Sequence, residues 1–118
     1  MIIFIVGGID QGKTVYAREH FPKAEYWDAC EETVRAQMKA GADPMACVRE
    51  VLARKRQGDL VITGREMGCG LVPMDPFERD YREMNGRVNC LIAAEADLVI
   101  RVIAGIGQVI KDERGGRI

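Results

Sequence analysis

Three segments of this chain are apolar almost without interruption, rather than alternately apolar and polar. They are residues 2–6, 60–63 and 98–104. Uninterrupted apolar runs are typical of strands that are covered on both faces, as in a parallel sheet flanked by helices. Two weaker strands are predicted at residues 24–27 and 108–111. The pattern therefore predicts a sheet with helices packed against both faces.

Helices are predicted between these strands, the first two over residues 13–20 and 30–39. A third begins at Asp43-Pro44, where an N-cap residue precedes a proline at the first helical position, and it closes at Gly58. A fourth begins at Asp75-Pro76, and we expect Glu78 to reach back to the cap N–H as in a capping box. Its buried face is marked by apolar residues at spacings of four and three: Phe77, Tyr81, Met84, Val88 and Leu91.

The turn after the first apolar run matches the phosphate-binding pattern G-x-x-x-x-G-K-[ST]. It consists of Gly7, Gly8, Ile9, Asp10, Gln11, Gly12, Lys13 and Thr14. Its glycines let backbone N–H groups surround a phosphate, and the following helix adds the positive end of its dipole. Lys13 is expected to reach the outer phosphates of ATP or GTP, and the Thr14 hydroxyl is expected to bind Mg²⁺. An ordinary glycine turn is the alternative, but the preceding strand is the context that a P-loop requires.

Together these patterns predict a three-layer α/β, P-loop NTPase-like domain with a mostly parallel sheet flanked by helices. Residues 1–118 are expected to form this single domain, with a loose tail over residues 112–118. Ligands of such sheets bind at the carboxyl ends of the strands. Candidate site residues should therefore follow the predicted strands.

Composition excludes several classes of partner. The net charge is minus one, so no global field attracts nucleic acid or an acidic membrane surface. No apolar segment is long enough for a secretory signal or a membrane span, which predicts a cytoplasmic protein. The cysteines have no C-x-x-C spacing and are expected to be reduced and mostly buried: Cys30, Cys47, Cys69 and Cys90.

Two acids follow predicted strands. Asp28 is placed to hold Mg²⁺, but it also precedes a helix with Glu31 three residues later, so a capping role is an equal alternative. Glu66 lies in a glycine-rich loop after the strand at residues 60–63, where an acid can bind metal, position a substrate hydroxyl or accept its proton. The alternative for Glu66 is a solvated loop residue.

Cationic residues of the fourth helix are a further candidate group. Arg79, Arg82 and Arg87 suit phosphate or carboxylate ligands, although interleaved acids favour a solvated face for each of them taken singly. His20, the only histidine, lies at the end of the first helix, where the helix dipole explains it without a catalytic role.

Several motifs in the same order resemble the adenosylcobinamide kinase / adenosylcobinamide-phosphate guanylyltransferase family. The family patterns N-E-V-G-x-G-I-V-P, F-R-D-x-x-G-x-x-N-Q and S-G-I are similar to residues 65–73, 81–90 and 104–106, and the P-loop precedes them. The segment at residues 26–30 is similar to the family's strand ending in D-C, which favours Asp28 as the acid on the magnesium side. By resemblance, Glu66, Arg82, Arg87 and Asn89 are substrate-binding candidates, and Lys13 and Glu66 are catalytic candidates.

The resemblance implies a kinase of cobalamin biosynthesis that uses ATP or GTP with Mg²⁺, and a corrinoid as the acceptor. It also implies self-association, which we expect for a short chain with a thin sheet. The segment that carries the family's guanylylated histidine has no counterpart before Asp28, and His20 does not match it. Kinase activity is therefore expected, whereas guanylyl transfer is not. The alternative is a noncatalytic nucleotide-binding regulatory or assembly module.

Overall fold

The computed structural model describes residues 1–67 and 73–114. Strands and helices alternate along these residues except for one pair of consecutive helices and one pair of consecutive strands. The loop glycines at residues 68 and 70 lie outside the described part. The elements are β1 (Ile2–Gly7), α1 (Lys13–His20), β2 (Glu25–Trp27), α2 (Cys30–Lys39), α3 (Pro44–Ala53), β3 (Leu60–Arg65), α4 (Pro76–Glu95), β4 (Leu98–Ile103) and β5 (Ile106–Asp112).

The strands of the described segments form one five-stranded sheet in the order β2-β3-β1-β4-β5. Neighbouring strands from β2 to β4 run parallel, whereas β5 pairs antiparallel with β4 at the edge of the sheet. The predicted α/β fold with a mostly parallel sheet is thereby confirmed. Because β1 to β4 point the same way, their carboxyl ends meet at one edge of the sheet, where ligands of such sheets bind.

Continuous apolar strands fold in this way because each face of the sheet buries alternate side chains. Phe4 and Ile62 point into a cluster that α2, α3 and α4 complete through residues such as Val34, Val48 and Val88. Ile3, Ile5 and Val61 point to the other face, where α1 contributes Ala17. All these side chains are almost completely buried. The protein thus has three layers, with the sheet between one helix and three helices.

Two predicted helix starts are confirmed, and one capping detail is wrong. The Asp43 and Asp75 carboxylates accept hydrogen bonds from the N–H groups of Met45 and Phe77, at 3.0 and 2.8 Å. Glu78 does not reach back to its cap N–H. Its carboxylate instead accepts two hydrogen bonds, at 2.7 and 3.1 Å, from the guanidinium of Arg35 on α2. A bidentate contact with arginine is stronger than the hydrogen bond to a backbone N–H that a capping box would provide. The Glu78 carboxylate therefore binds Arg35 and does not cap the helix.

Several element boundaries differ from the sequence prediction. Helix α3 ends at Ala53, before Gly58. Strand β4 ends one residue early because Ala104 and Gly105 adopt φ of 51° and 77° and form a tight turn into β5. Strand β5 is consequently longer than residues 108–111. Of the predicted loose tail, Asp112 belongs to β5, and residues 115–118 lie outside the described part.

The prediction that the cysteines are mostly buried is wrong for the described residues. Cys30 is buried, Cys47 is partly buried and Cys90 is exposed, and all three are free thiols. Cys69 lies outside the described residues. Within residues 1–67 and 73–114, no helix has both the length and the apolar character needed to cross a bilayer.

Candidate functional site

The predicted P-loop has the backbone that its glycines allow. Strand β1 ends at Gly7, and α1 begins at Lys13, with Gly12 as N-cap at φ 87°. This left-handed conformation favours glycine. A Cβ on Gly7 would lie 2.5 Å from the carbonyl oxygen of Val102, so the approach of β4 also requires glycine there. The loop therefore passes tightly from the sheet to the amino end of α1.

Lys13 lies over this loop. Its ammonium donates hydrogen bonds to the carbonyl oxygens of Gly7 and Gly8, both at 3.0 Å. Partial burial lowers the pKa of Lys13, the charge of Glu31 opposes this shift, and the charge of Arg65 adds to it. A cation thus sits beside the N–H groups at the start of α1, an arrangement suited to a polyanion.

A cavity of about 380 Å³ opens above the loop. Residues 9–15 line it from the loop and α1, and Asp28, Glu31, Thr63 and Arg65 line it from β2, α2 and β3. Gly7 and Gly8 do not line it, but their carbonyl groups accept hydrogen bonds from Lys13. The structure therefore brings Lys13, Thr14 and Asp28 to one cavity, which we call the loop cavity.

The turn between β4 and β5 holds the loop in place. The N–H of Ala104 donates to Oε1 of Gln11 at 2.7 Å, and the N–H of Gly105 donates to the carbonyl oxygen of Gln11 at 2.8 Å. Sequence reasoning missed this contact because residues 11 and 104 are distant in the chain. The family-like segment at residues 104–106 thereby acquires a structural role, which is to support the predicted P-loop.

Asp28 lies after β2 and does not cap α2, so the capping alternative is wrong. The N-cap is Ala29, at φ 54°, and no side chain caps this helix. The hydroxyl of Thr63 accepts the N–H of Ala29 at 2.7 Å and donates to the Asp28 carboxylate at 3.4 Å. The other Asp28 oxygen accepts a hydrogen bond from Arg18 at 2.8 Å. This carboxylate is thereby fixed at the wall of the loop cavity.

Glu31 is a site residue that sequence reasoning missed. The sequence suggested only that Glu31 takes part in a helix cap with Asp28. In the structure it lines the loop cavity from the first turn of α2. Its Oε1 atom is buried and has no hydrogen-bond partner among the described residues. A buried carboxylate oxygen without a partner is costly unless a cation or a proton donor meets it. The spacing of three residues from Asp28 was the available signal.

A second cavity, of about 240 Å³, lies beside the first, and we call it the acceptor cavity. It contains two of the predicted substrate-binding residues, Glu66 and Arg82. The Glu66 carboxylate accepts a hydrogen bond from Arg101 on β4 at 2.9 Å, and the Glu66 N–H donates to the carbonyl oxygen of Gly7 at 2.8 Å. Glu66 is therefore oriented by an ion pair and by the P-loop itself, unlike a freely solvated loop glutamate.

Charged and aromatic groups from α2 and α4 complete the acceptor cavity. The Arg35 guanidinium lies 4.1 Å from the ring centroid of Tyr81 while it holds Glu78. Burial raises the pKa of Tyr81, and the hydrogen bonds from Arg35 lower the pKa of Glu78. This wall presents fixed charges of both signs and an aromatic surface, which suits a polar ligand that also has apolar parts.

Asn85 and Asn89 of α4 hold the end of β3. Their side-chain amides donate to the carbonyl oxygen of Arg65 at 3.0 and 3.1 Å. Asn89 was predicted to bind substrate, and its amide nitrogen contacts the backbone of Arg65. Asn85, which sequence reasoning missed, is completely buried. Both residues therefore support the segment that carries Arg65 and Glu66.

The remaining candidates lie elsewhere. Arg87 is 62% exposed, forms an ion pair with Glu83 at 2.9 Å, and lines neither cavity. Arg79 donates to the carbonyl oxygens of Pro73 and Met74 at 3.2 and 2.9 Å. His20 stacks on Tyr16, with 3.9 Å between ring centroids, and lines neither cavity. The structure does not bring these three side chains to the site.

Comparison with known proteins places the chain in a family. The sequence model of the cobinamide kinase / cobinamide phosphate guanyltransferase family matches residues 29–110, which begin after the P-loop. The bifunctional adenosylcobalamin biosynthesis protein CobU of Salmonella typhimurium is 33% identical over 87 residues, which are 74% of this chain and 45% of that protein. The Escherichia coli protein of the same name is 34% identical over 87 residues, 72% of this chain and 44% of that protein. The chain spans less than half the length of these relatives. It belongs to the cobinamide kinase / cobinamide phosphate guanyltransferase family.

Proposed function

We propose that the chain binds ATP or GTP with Mg²⁺ in the loop cavity and transfers the terminal phosphate to a hydroxyl acceptor in the acceptor cavity. The observation that carries this proposal is the adjacency of the two cavities, which share Arg65 as a lining residue. One cavity has the features of a phosphate site, and the other contains an oriented carboxylate. The family membership supports adenosylcobinamide as the acceptor.

The donor set of the loop cavity fits a magnesium ion shared with phosphate. The Thr14 hydroxyl and the carboxylates of Asp28 and Glu31 supply oxygen ligands, which Mg²⁺ prefers, and Glu31 has a buried oxygen without a described partner. No group of three acidic, histidine or cysteine side chains among the described residues forms a metal site by itself. Protein ligands supplemented by phosphate and water are usual for this ion, whose charge would offset that of the phosphates.

The protein residues then have distinct tasks in the transfer. Lys13 contacts the outer phosphates, and Glu66 orients the acceptor hydroxyl and accepts its proton. The acceptor oxygen forms a bond to the terminal phosphorus as the bond to the bridging oxygen breaks, and the nucleoside diphosphate leaves. Such a reaction depends mainly on alignment and charge, which the two fixed cavities provide.

The covalent guanylyl route has no support at the described site. A connection of only four residues, 21–24, joins α1 to β2. His20 is engaged with Tyr16, whose carbonyl oxygen lies 2.9 Å from Nδ1. We therefore propose the kinase step alone. A regulatory nucleotide-binding module is a second candidate, favoured by this short connection in place of the segment that carries the family's guanylylated histidine.

An incubation with labelled nucleotide tests the proposal. The protein should convert adenosylcobinamide to its phosphate with Mg²⁺ and either ATP or GTP, as followed by mass spectrometry. Lys13→Ala should abolish the product, and Lys55→Ala, at an exposed lysine of the same charge, should not. Absence of product with both nucleotides would refute the kinase. In that case, calorimetry showing nucleotide binding that is independent of the corrinoid would support the regulatory module.

A further inference from the structure

Arg65 occupies a position that no other described residue shares. It is the last residue of β3, it pairs in register with Gly7 of the P-loop, and it lines both the loop cavity and the acceptor cavity. In the family pattern this position is an asparagine. A long cationic side chain therefore stands where the phosphate donor and the acceptor would meet.

The backbone of Arg65 is held from two sides. Asn85 and Asn89 donate to its carbonyl oxygen, and the N–H of the next residue, Glu66, donates to the carbonyl oxygen of Gly7. The end of β3 is thus tied both to α4 and to the start of the P-loop. The backbone position of Arg65 is therefore set before a ligand binds, and only its side chain has to be ordered on binding.

The guanidinium of Arg65 differs from its neighbours in its partners. Arg101, Arg35 and Arg18 each hold a carboxylate, namely Glu66, Glu78 and Asp28. Within residues 1–67 and 73–114, Arg65 forms no ion pair. Its charge instead acts on Lys13, whose pKa it helps to lower. Two cations that face one cavity repel each other, and an anion between them relieves that repulsion.

We propose that Arg65 binds the transferred phosphoryl group from the acceptor side, opposite Lys13. This inference rests on the proposed kinase function and adds to it a catalytic residue that the family pattern does not contain. The planar fork of arginine can contact two phosphoryl oxygens at once and stabilise the charge on them during transfer. Arg65 undergoes no covalent change in this step.

The test compares Arg65→Ala and Arg65→Lys with the wild type and with Arg49→Ala, a control that removes an exposed arginine on α3. Titration calorimetry measures the affinity for the β,γ-imido triphosphate and for the diphosphate of adenosine and of guanosine, with Mg²⁺. Because Arg65 would contact only the terminal phosphate, Arg65→Ala should weaken triphosphate binding by about tenfold or more and leave diphosphate binding unchanged. Its kcat should fall by about 10²-fold or more, with a smaller change in the acceptor KM.

Arg65→Lys keeps the charge without the fork and should lie between the wild type and Arg65→Ala. The far-ultraviolet spectrum and melting temperature of Arg49→Ala are the standard for a correctly folded variant. If Arg65→Ala does not meet that standard, the test is decided by Arg65→Lys. A wild-type protein that binds no nucleotide overturns both proposals. If the wild-type protein prefers triphosphate and both Arg65 variants keep that preference, only the Arg65 inference is overturned. Where turnover is measured, both variants would also have to keep the wild-type kcat.

Discussion

Gly64 lies in the middle of the segment that carries Thr63 and Arg65, and the packing around it predicts a clear loss of stability on substitution. A Cβ on Gly64 would lie 2.8 and 3.0 Å from the ring atoms Cε1 and Cζ of Phe4, and 3.2 Å from Sγ of Cys30. Phe4 and Cys30 are 1% and 0% exposed, so neither can turn away into solvent. The new methyl group must therefore displace core atoms.

Overpacking of a core in this way costs about 1–3 kcal/mol. Replacing glycine by alanine also restricts the unfolded chain, and this effect alone raises the free energy of unfolding by about 0.5–1 kcal/mol. We expect Gly64→Ala to lower the free energy of unfolding by about 1–2 kcal/mol. For 118 residues the unfolding entropy is about 250 cal/mol/K, so the melting temperature should fall by about 4–8 °C.

Gly86→Ala is the matched control, since the chain offers the same substitution without the clash. Gly86 lies inside α4, and apart from the neighbouring residues and backbone of that helix nothing lies within 4 Å of the position that the new methyl group would take. The unfolded-state gain applies here as well, and alanine favours the helix, so Gly86→Ala should raise stability by about 0.5–1 kcal/mol. The change in the free energy of unfolding should therefore have opposite signs for Gly64→Ala and Gly86→Ala. Because the substitution is the same, the difference between them isolates the contribution of the clash.

Urea and thermal denaturation followed by circular dichroism measure both variants. Adding Phe4→Leu to Gly64→Ala removes the two ring atoms that clash, so the double variant should be more stable than the sum of the single effects by about 1 kcal/mol. Equal stability of Gly64→Ala and Gly86→Ala would refute the packing argument. Simple additivity with Phe4→Leu would refute the assignment of the clash to that ring.

Two further predictions follow from the site and the core. Burial raises the pKa of Cys30 to about 12, so its thiol should resist iodoacetamide at about pH 8, whereas the exposed Cys90 should react. Peptide mass spectrometry measures the labelling of both residues. Equal labelling in the folded protein would contradict the burial of Cys30. Gln11→Ala removes the acceptor for the Ala104 N–H, so calorimetry should show weaker nucleotide binding by about 3- to 10-fold with little change in melting temperature. Unchanged affinity would show that the β4–β5 turn does not organise the loop.

The sequence predicted the parts of this fold whose determinants are local. Uninterrupted apolar runs identified β1, β3 and β4, and the Asp-Pro pairs at residues 43–44 and 75–76 identified the starts of α3 and α4. Short-range sterics and capping decide these features, so a single stretch of sequence contains the signal. The length of β5 was missed because Ala104-Gly105 lacks the Asn-Gly signature of a two-residue hairpin.

Features decided by distant partners were not predictable in the same way. Glu78 matched a capping box, but Arg35, 43 residues away, takes its carboxylate. Asp28 matched an N-cap, but the hydroxyl of Thr63 holds the N–H of Ala29, and Ala29 is the N-cap of α2. Local propensity competes with tertiary contacts at such positions, and here the tertiary contact decides both cases, through a charged hydrogen bond at Glu78 and a neutral one at Ala29.

One backbone atom joins the two halves of the site. The carbonyl oxygen of Gly7 accepts hydrogen bonds both from the ammonium of Lys13, at 3.0 Å, and from the N–H of Glu66, at 2.8 Å. If Lys13 turns from this oxygen towards a phosphate, the Glu66 N–H still satisfies it, and no carbonyl of Gly7 is left buried without a partner. A movement of Lys13 would therefore leave the Gly7 carbonyl paired, and only the Gly8 carbonyl would lose its hydrogen bond from the ammonium. The same N–H joins the backbone of Glu66 to the loop that we propose as the phosphate site, so under that proposal the donor and acceptor positions stay aligned when the lysine moves.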